Sequence, residues 1–205
     1  MTTATTLMPW QPILPLLLAS AVIMGSPGPS TMSVTAVGAA YGFRRSLPYA
    51  CGLILGTTAV LLVVALGVVA AVLSIPHGAP ILLTLSAIYI LYLAFQIATA
   101  PPLSRQDSQI AAPALVGGFL LAIANPKAYL AIAAVFAGTT VLADHARDAV
   151  VKMTLLTAMI VIIHLSWLLV GASLARVLHD PTLSRIVNVT LAALLVVTTA
   201  LAVIR

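Results

Sequence analysis

The chain has 205 residues, 62% of them hydrophobic and 6% charged, with a formal net charge of +5. Soluble domains carry about 25% charged residues, so a water-facing surface cannot be built from this set and lipid must be the solvent for most of the protein. Glutamate is absent, all four acids are aspartates (Asp107, Asp144, Asp148 and Asp180), and the basic residues are scattered between apolar runs, which excludes a nucleic-acid surface and reads as topology-setting charge.

The opening MTTATTLMPWQP has no Lys or Arg. A cleavable leader begins with positive charge, so the apolar stretch that follows is expected to be a retained membrane segment, with Trp10 as an interfacial anchor. Crossing the hydrocarbon core takes about 20 helical residues. Six segments meet that length: 13–40, 49–73, 81–100, 113–140, 149–175 and 183–204. Between them lie the turn and charge signals GFRRSLP, SIPHGAP, PPLSRQDSQ, ADHARD and VLHDPTLS. Every connection is short, so residues 1–205 are expected to form a single polytopic domain, an all-α membrane bundle. The run LILGTTAVLLVVALGVVAAVL is continuous rather than alternating, which excludes a transmembrane β-barrel.

Arg44, Arg45, Arg105, Arg176 and Arg185 fall on one side of these spans, and Arg147, Lys152 and Arg205 on the other. That bias predicts both termini on the outer face. Gly52-x-x-x-Gly56 permits close helix packing. Cys51 is the only cysteine, which excludes an intrachain disulfide and reads as a small packing residue.

Two segments carry a break. GSPGPS, from Gly25 to Ser30, lies in the first, and ANPKAY, from Ala124 to Tyr129, in the fourth. Proline has no N–H and displaces the carbonyl four residues back, so Pro27, Pro29 and Pro126 free the carbonyls of Ile23, Gly25 and Ala122. In lipid each orphan group costs several kcal/mol, so broken backbone survives only within protein or beside a wet cavity. Pro27 and Pro126 each stand near the middle of their segment, and each segment opens a set of three helices. Three is odd, so the second set runs in the opposite sense. The expected architecture is therefore six transmembrane helices as two inverted three-helix repeats, about 11–100 and about 113–205, with helices 1 and 4 broken near mid-membrane. Transporters of this design place substrate between two broken helices. Ordinary proline kinks are the plainer alternative.

SPGPSTMSVTAVGAAYGFRRSLPYACGLILG and GGFLLAIANPKAYLAIAAVF resemble the first- and fourth-helix signatures of the lysine-exporter family (LysE/RhtB-type amino-acid efflux transporters), and SAIYILYLAFQ and HLSWLLVGASLA resemble its third and fifth helices. The resemblance covers nearly the whole chain in order. It implies a bacterial cytoplasmic (inner) membrane exporter of amino acids or similar small metabolites, driven by an ion gradient. Two positions depart from the family pattern: Thr57, after Gly56, and His164, three residues before Trp167, stand where acids are usual.

Several side chains are candidates for a site. A helix restarting after Pro29 leaves its first N–H groups, near Ser30 and Thr31, without partners and at the positive end of the helix dipole, which suits a substrate carboxylate. Ser30 is equally suited to capping that helix. Gly28 lets a ligand approach backbone, within a stretch formed by Ser26, Pro27, Gly28 and Pro29. Lys127 is the charged side chain nearest mid-membrane, where ionisable residues are functional by default. It suits a substrate carboxylate, proton coupling, or a structural bond to freed carbonyls. Asn125 and Pro126 complete the second break. His164 suits either proton coupling or a structural hydrogen bond. Tyr89 and Tyr92 stand one turn apart and present hydroxyls or pack; Trp167 lines the cavity or packs.

No acid is expected at depth, where a dibasic substrate would call for one, so neutral amino acids or related carboxylates are favoured as substrates. The expected function is secondary active efflux, and exchange with protons is the expected coupling.

 No cofactor is required, and the partners are a small-molecule substrate and the lipid bilayer, with assembly as a homo-oligomer left open. A metal-ion exporter is one rival, but the clustered ligands Asp144, His145 and Asp148, and His179 and Asp180, lie in loops on opposite sides, and no metal site is expected at depth. A non-transporting membrane subunit is another. An enzyme is not expected: HExxH and GxSxG are missing, and GASLA around Ser173 lacks the second glycine.

Overall fold

The computed structural model describes residues 12–67, 78–99, 112–177 and 181–204. Trp10, Arg105, His179 and Asp180 lie outside the described residues. Among the described residues every regular element is helical: α1 (Ile13–Ala19), a π-helical turn (Ser20–Met24), α2 (Pro29–Ala65), α3 (Gly78–Ala98), α4 (Leu115–Ala124), α5 (Pro126–Ala137), α6 (His145–Val177) and α7 (Pro181–Ile204).

Each expected segment is helical over most of its length, but the first two differ in their connection. GFRRSLP is not a loop. Helix α2 runs through it with one non-helical residue, Gly42, at φ 74° and ψ 169°. Ser46 Oγ donates to the carbonyls of Gly42 at 2.7 Å and Val37 at 3.0 Å. Residues nine apart in a straight helix are separated by about 13.5 Å, so the bond to Val37 requires a sharp fold at Gly42. Glycine supplies the left-handed backbone at little cost, and a single residue replaces the expected turn.

Pro29–Ala65 and His145–Leu174 are long and apolar enough to cross a membrane, and a third crossing is added if the bent pair α4–α5 is one span. That pair turns by 64° at Asn125. Large apolar side chains point outward from several helices, with Val22 and Leu130 each 70% exposed. An outer surface of this kind suits acyl chains rather than water.

Small residues set the helix contacts. A methyl at Gly56 would sit 2.7 Å from the Phe119 carbonyl, and Gly52 and Gly118 face the backbone of Leu115 and Tyr49. The expected Gly52-x-x-x-Gly56 seam therefore joins α2 to α4. Gly38 and Gly171 bring the first part of α2 against α6, where Thr35 Oγ1 donates to the Trp167 carbonyl at 3.2 Å. Cys51 is exposed rather than packed, because Gly52 beside it occupies the seam. Two buried apolar clusters result: one around Tyr49, Leu53, Leu121 and Leu168, the other around Leu16, Val60, Ile132, Leu156 and Ile160. The second lies beside both breaks.

ADHARD also differs from the expected loop, since α6 begins at His145 and takes in Asp148. Asp148 Oδ1 accepts from the amides of Val141 at 2.6 Å and Leu142 at 2.9 Å, and Oδ2 pairs with Lys152 at 2.8 Å. Lys152 also donates to the Phe136 carbonyl at 2.9 Å and stands 4.8 Å from that ring. Both charges are buried. They fasten the end of α5 to α6, so Lys152 is an ion-paired structural residue rather than a loop charge.

Candidate functional site

The two breaks meet. Helix α1 loosens into the π-helical turn, where the Gly25 amide reaches the Ser20 carbonyl at 3.2 Å. The chain then bends through Ser26 and Pro27 to an extended Gly28, and α2 restarts at Pro29, a residue preset for the first helical position. This restart makes Gly28 the cap residue, so Ser30 lies inside the helix and does not cap it. Thr31 Oγ1 instead accepts from the Gly28 amide at 2.9 Å. The second break is simpler. Asn125 ends α4 in extended backbone, and its Oδ1 accepts from the Lys127 amide at 3.1 Å, capping α5 ahead of Pro126.

The carbonyls freed by proline all have partners. Ser26 Oγ donates to Ile23 at 2.9 Å, Trp167 Nε1 to Gly25 at 3.1 Å, and the Asn125 amide to Ala122 at 3.3 Å. The carbonyls of Ser26 and Pro27 take Lys127. Its Nζ donates to them at 2.6 and 2.9 Å and to Ser26 Oγ at 2.8 Å. These three acceptors use the three donors of the ammonium. Gly28 makes room for this arrangement: a Cβ there would stand 2.6 Å from Lys127 Cδ and 2.8 Å from Nζ. Its φ of −173° is ordinary extended backbone, so the glycine matters for space rather than conformation, and the group that approaches it is Lys127. Asn125 Nδ2 donates to Ser30 Oγ at 2.8 Å and ties the breaks together a second time.

A cavity of about 40 Å³ lies beside this junction. Its polar lining is Ser30, Thr31, Thr57, Asn125, Lys127 and His164. The apolar lining includes Ala128, Ala131 and Ile132 on α5, and Ile160 and Ile163 on α6. A water needs roughly 10–15 Å³ by this measure, so the space suits roughly three waters or the head group of a small metabolite.

Two polar atoms at this cavity have no hydrogen-bond partner: Thr57 Oγ1 and His164 Nε2. Their residues are 5% and 4% exposed. His164 Nδ1 lies 2.8 Å from the Ile160 carbonyl. A carbonyl only accepts, so Nδ1 carries hydrogen, and in the neutral ring Nε2 presents a lone pair. Leaving a buried polar group unpaired costs about 1–3 kcal/mol, and two on one cavity mark a place suited to water or a ligand. At the start of α2, the amides of Ser30 and Thr31 precede the first helical closure, from Met32 to Gly28 at 2.8 Å, so no helix carbonyl serves them. The lining of this cavity thus includes both donors and acceptors.

Of the residues expected at a site, Ser26, Pro27, Gly28 and Pro29 form the first break, Ser30 and Thr31 begin α2, and Asn125, Pro126 and Lys127 form the second break. His164 shares the cavity with Lys127. Trp167 holds the first break through Gly25 and is not part of the cavity lining. Tyr92 stands apart, exposed on α3, with its hydroxyl accepting from Gln96 Nε2 at 2.6 Å. The side chain of Tyr89 lies outside the described residues. Thr57 was legible as a departure at a polar position but not as a lining residue. The i, i+3, i+4 spacing of Ile160, Ile163 and His164, repeated by Ala128, Ala131 and Ile132, was the available signal. Among the described residues, no three His, Cys, Asp or Glu side chains gather to hold a metal ion.

Comparison with curated proteins and with solved structures gives no significant match. A family model described as LysE type translocator matches residues 21–205, from the π-helical turn through the last helix; the chain belongs to the LysE type translocator family.

Proposed function

We propose that this protein is a secondary active exporter of small neutral amino acids or related carboxylates, exchanging them for protons across a bacterial cytoplasmic membrane. In this reading the chain is one domain of six spans, with inverted repeats over about 11–100 and about 113–205 and both termini on the outer face. Translocators move solutes rather than convert them, in keeping with family membership. The observation that carries the substrate reading is the junction of the breaks: Lys127, Asn125, Ser30 and Thr31 line one small cavity. Ammonium, amide and helix-start donors together suit a carboxylate.

The preference for neutral substrates follows from charge. Lys127 is the fixed cation at this cavity, and the lining holds no carboxylate. A second positive group on the substrate would meet no counter-charge. Lys127 is proposed to exchange its bonds with Ser26 and Pro27 for the substrate carboxylate, and His164 to carry the proton.

Purified protein in liposomes tests the reading with a panel of neutral, acidic and dibasic amino acids, with and without an imposed pH gradient. The expected result is transport of a neutral solute that accelerates with the gradient. Strong preference for lysine or arginine, or transport indifferent to the gradient, would overturn it.

A further inference from the structure

His164 Nε2 and Thr57 Oγ1 are buried, unpartnered and share a cavity with Lys127. The Nδ1–H bond to the Ile160 carbonyl at 2.8 Å fixes which side of the ring is available. In the neutral ring Nε2 accepts and cannot donate. The Thr57 hydroxyl both donates and accepts, so it too has a lone pair for an N–H donor. These two acceptors suit a group rich in N–H donors, while Lys127 and the start of α2 on the same lining suit an anion. A zwitterionic amino acid has both groups, a single carbon apart.

We propose that the substrate ammonium and the transported proton compete for the same lone pair on His164 Nε2, with Thr57 Oγ1 as the second ammonium acceptor and Lys127 as the carboxylate partner. This mechanism rests on the exporter reading and adds the cause of exchange. A proton on Nε2 turns the acceptor into a donor and places a positive charge against the ammonium. Substrate and proton then exclude each other.

The balance is simple. Substrate leaves with its ammonium intact, a proton from the outer water occupies Nε2, and that proton passes to the inner water before the next substrate binds. Each cycle moves one zwitterion out and one positive charge in. No covalent bond other than N–H forms or breaks. The groups sharing the lining with His164 are Met24 before the first break, Ser30, Thr31 and Thr57 on α2, and Asn125 and Lys127 at the second break. Lys127 is the other ionisable group among them, and its charge is common to both occupied states.

The test is equilibrium binding to full-length protein in detergent from about pH 8 to about pH 5, a range that spans histidine titration. The probes are glycine, L-alanine, L-serine and L-leucine, with propionate and L-lactate as carboxylates lacking an ammonium. One competing proton weakens zwitterion binding by about tenfold per pH unit once the ring is charged. The expected result is that loss for at least one zwitterion and no such loss for propionate or L-lactate. In His164→Gln the pH dependence should vanish, while in Thr57→Val binding should weaken with its pH dependence retained. Zwitterion binding that is flat with pH, or equal pH dependence for propionate, overturns the competition in the wild-type protein without recourse to a variant. Unchanged pH dependence in folded His164→Gln also overturns it. Proton-driven export with pH-independent binding would leave the exporter reading intact and remove this mechanism. Competition without export in liposomes would do the reverse, and failure of every probe to bind would overturn both.

Discussion

Lys127 Nζ donates to the Ser26 carbonyl at 2.6 Å, joining positions 101 residues apart in the chain. One charged side chain thus bridges two interrupted helices. Replacing it with methionine removes the donor from the Ser26 and Pro27 carbonyls and the cation from the cavity. A hydrogen bond to a charged group contributes about 1.5–3 kcal/mol, equivalent to about tenfold or more in affinity. Lys127→Met should raise KM by at least about that factor and lower Tm, measured by transport in liposomes and thermal unfolding in detergent.

Gly28→Ala isolates the position of that lysine. The backbone at φ −173° accepts alanine, but the added Cβ would stand 2.6 Å from Lys127 Cδ. The lysine must move, so transport should weaken with a smaller loss of stability than in Lys127→Met. The double variant should be little worse than Lys127→Met alone, since both changes act on one contact. A transport cycle comparing the single and double variants measures this coupling.

Trp167→Phe removes the N–H that reaches the Gly25 carbonyl at 3.1 Å while keeping an aromatic ring. The carbonyl then lacks its indole donor, at a cost of about 1–3 kcal/mol. The expected outcome is lower Tm and faster proteolysis near the first break, measured by thermal unfolding and limited digestion.

The Asp148–Lys152 pair offers a contrast, because neither residue lines the cavity. Asp148→Asn breaks a buried ion pair and weakens the bonds to Val141 and Leu142, so stability should fall by about 3–5 kcal/mol. In protein that remains folded, KM should stay close to wild type. Asp148→Asn combined with Lys152→Met should cost less than the sum of the two single changes, as measured by reversible denaturation.

Much of this arrangement was legible in the sequence because proline leaves a definite chemical debt in the backbone. Pro27, Pro29 and Pro126 identified the carbonyls of Ile23, Gly25 and Ala122 as needing partners, and those partners are now identified. Which donor serves which carbonyl was not legible. Lys127 binds Ser26 and Pro27 rather than Ile23 or Gly25, whose carbonyls take Ser26 Oγ and Trp167 Nε1 instead. The role of Gly42 was hidden for a different reason. GFRRSLP has the composition of a loop, and only the backbone angle at one glycine distinguishes a folded helix from a connecting turn. Tyr92 illustrates the limit of helical spacing: it places a hydroxyl on a face but does not determine which face turns inward.

The corner at Gly42 makes an elbow from the two arms of α2. One arm begins at the first break, and the other carries Thr57 into the cavity and Gly52 and Gly56 into the seam with α4. Ser46 braces the joint through Val37 and Gly42, leaving little slack between the arms. A tilt of the first arm alone would stretch these two bonds, so the joint ties the first break to the wall that packs on α4.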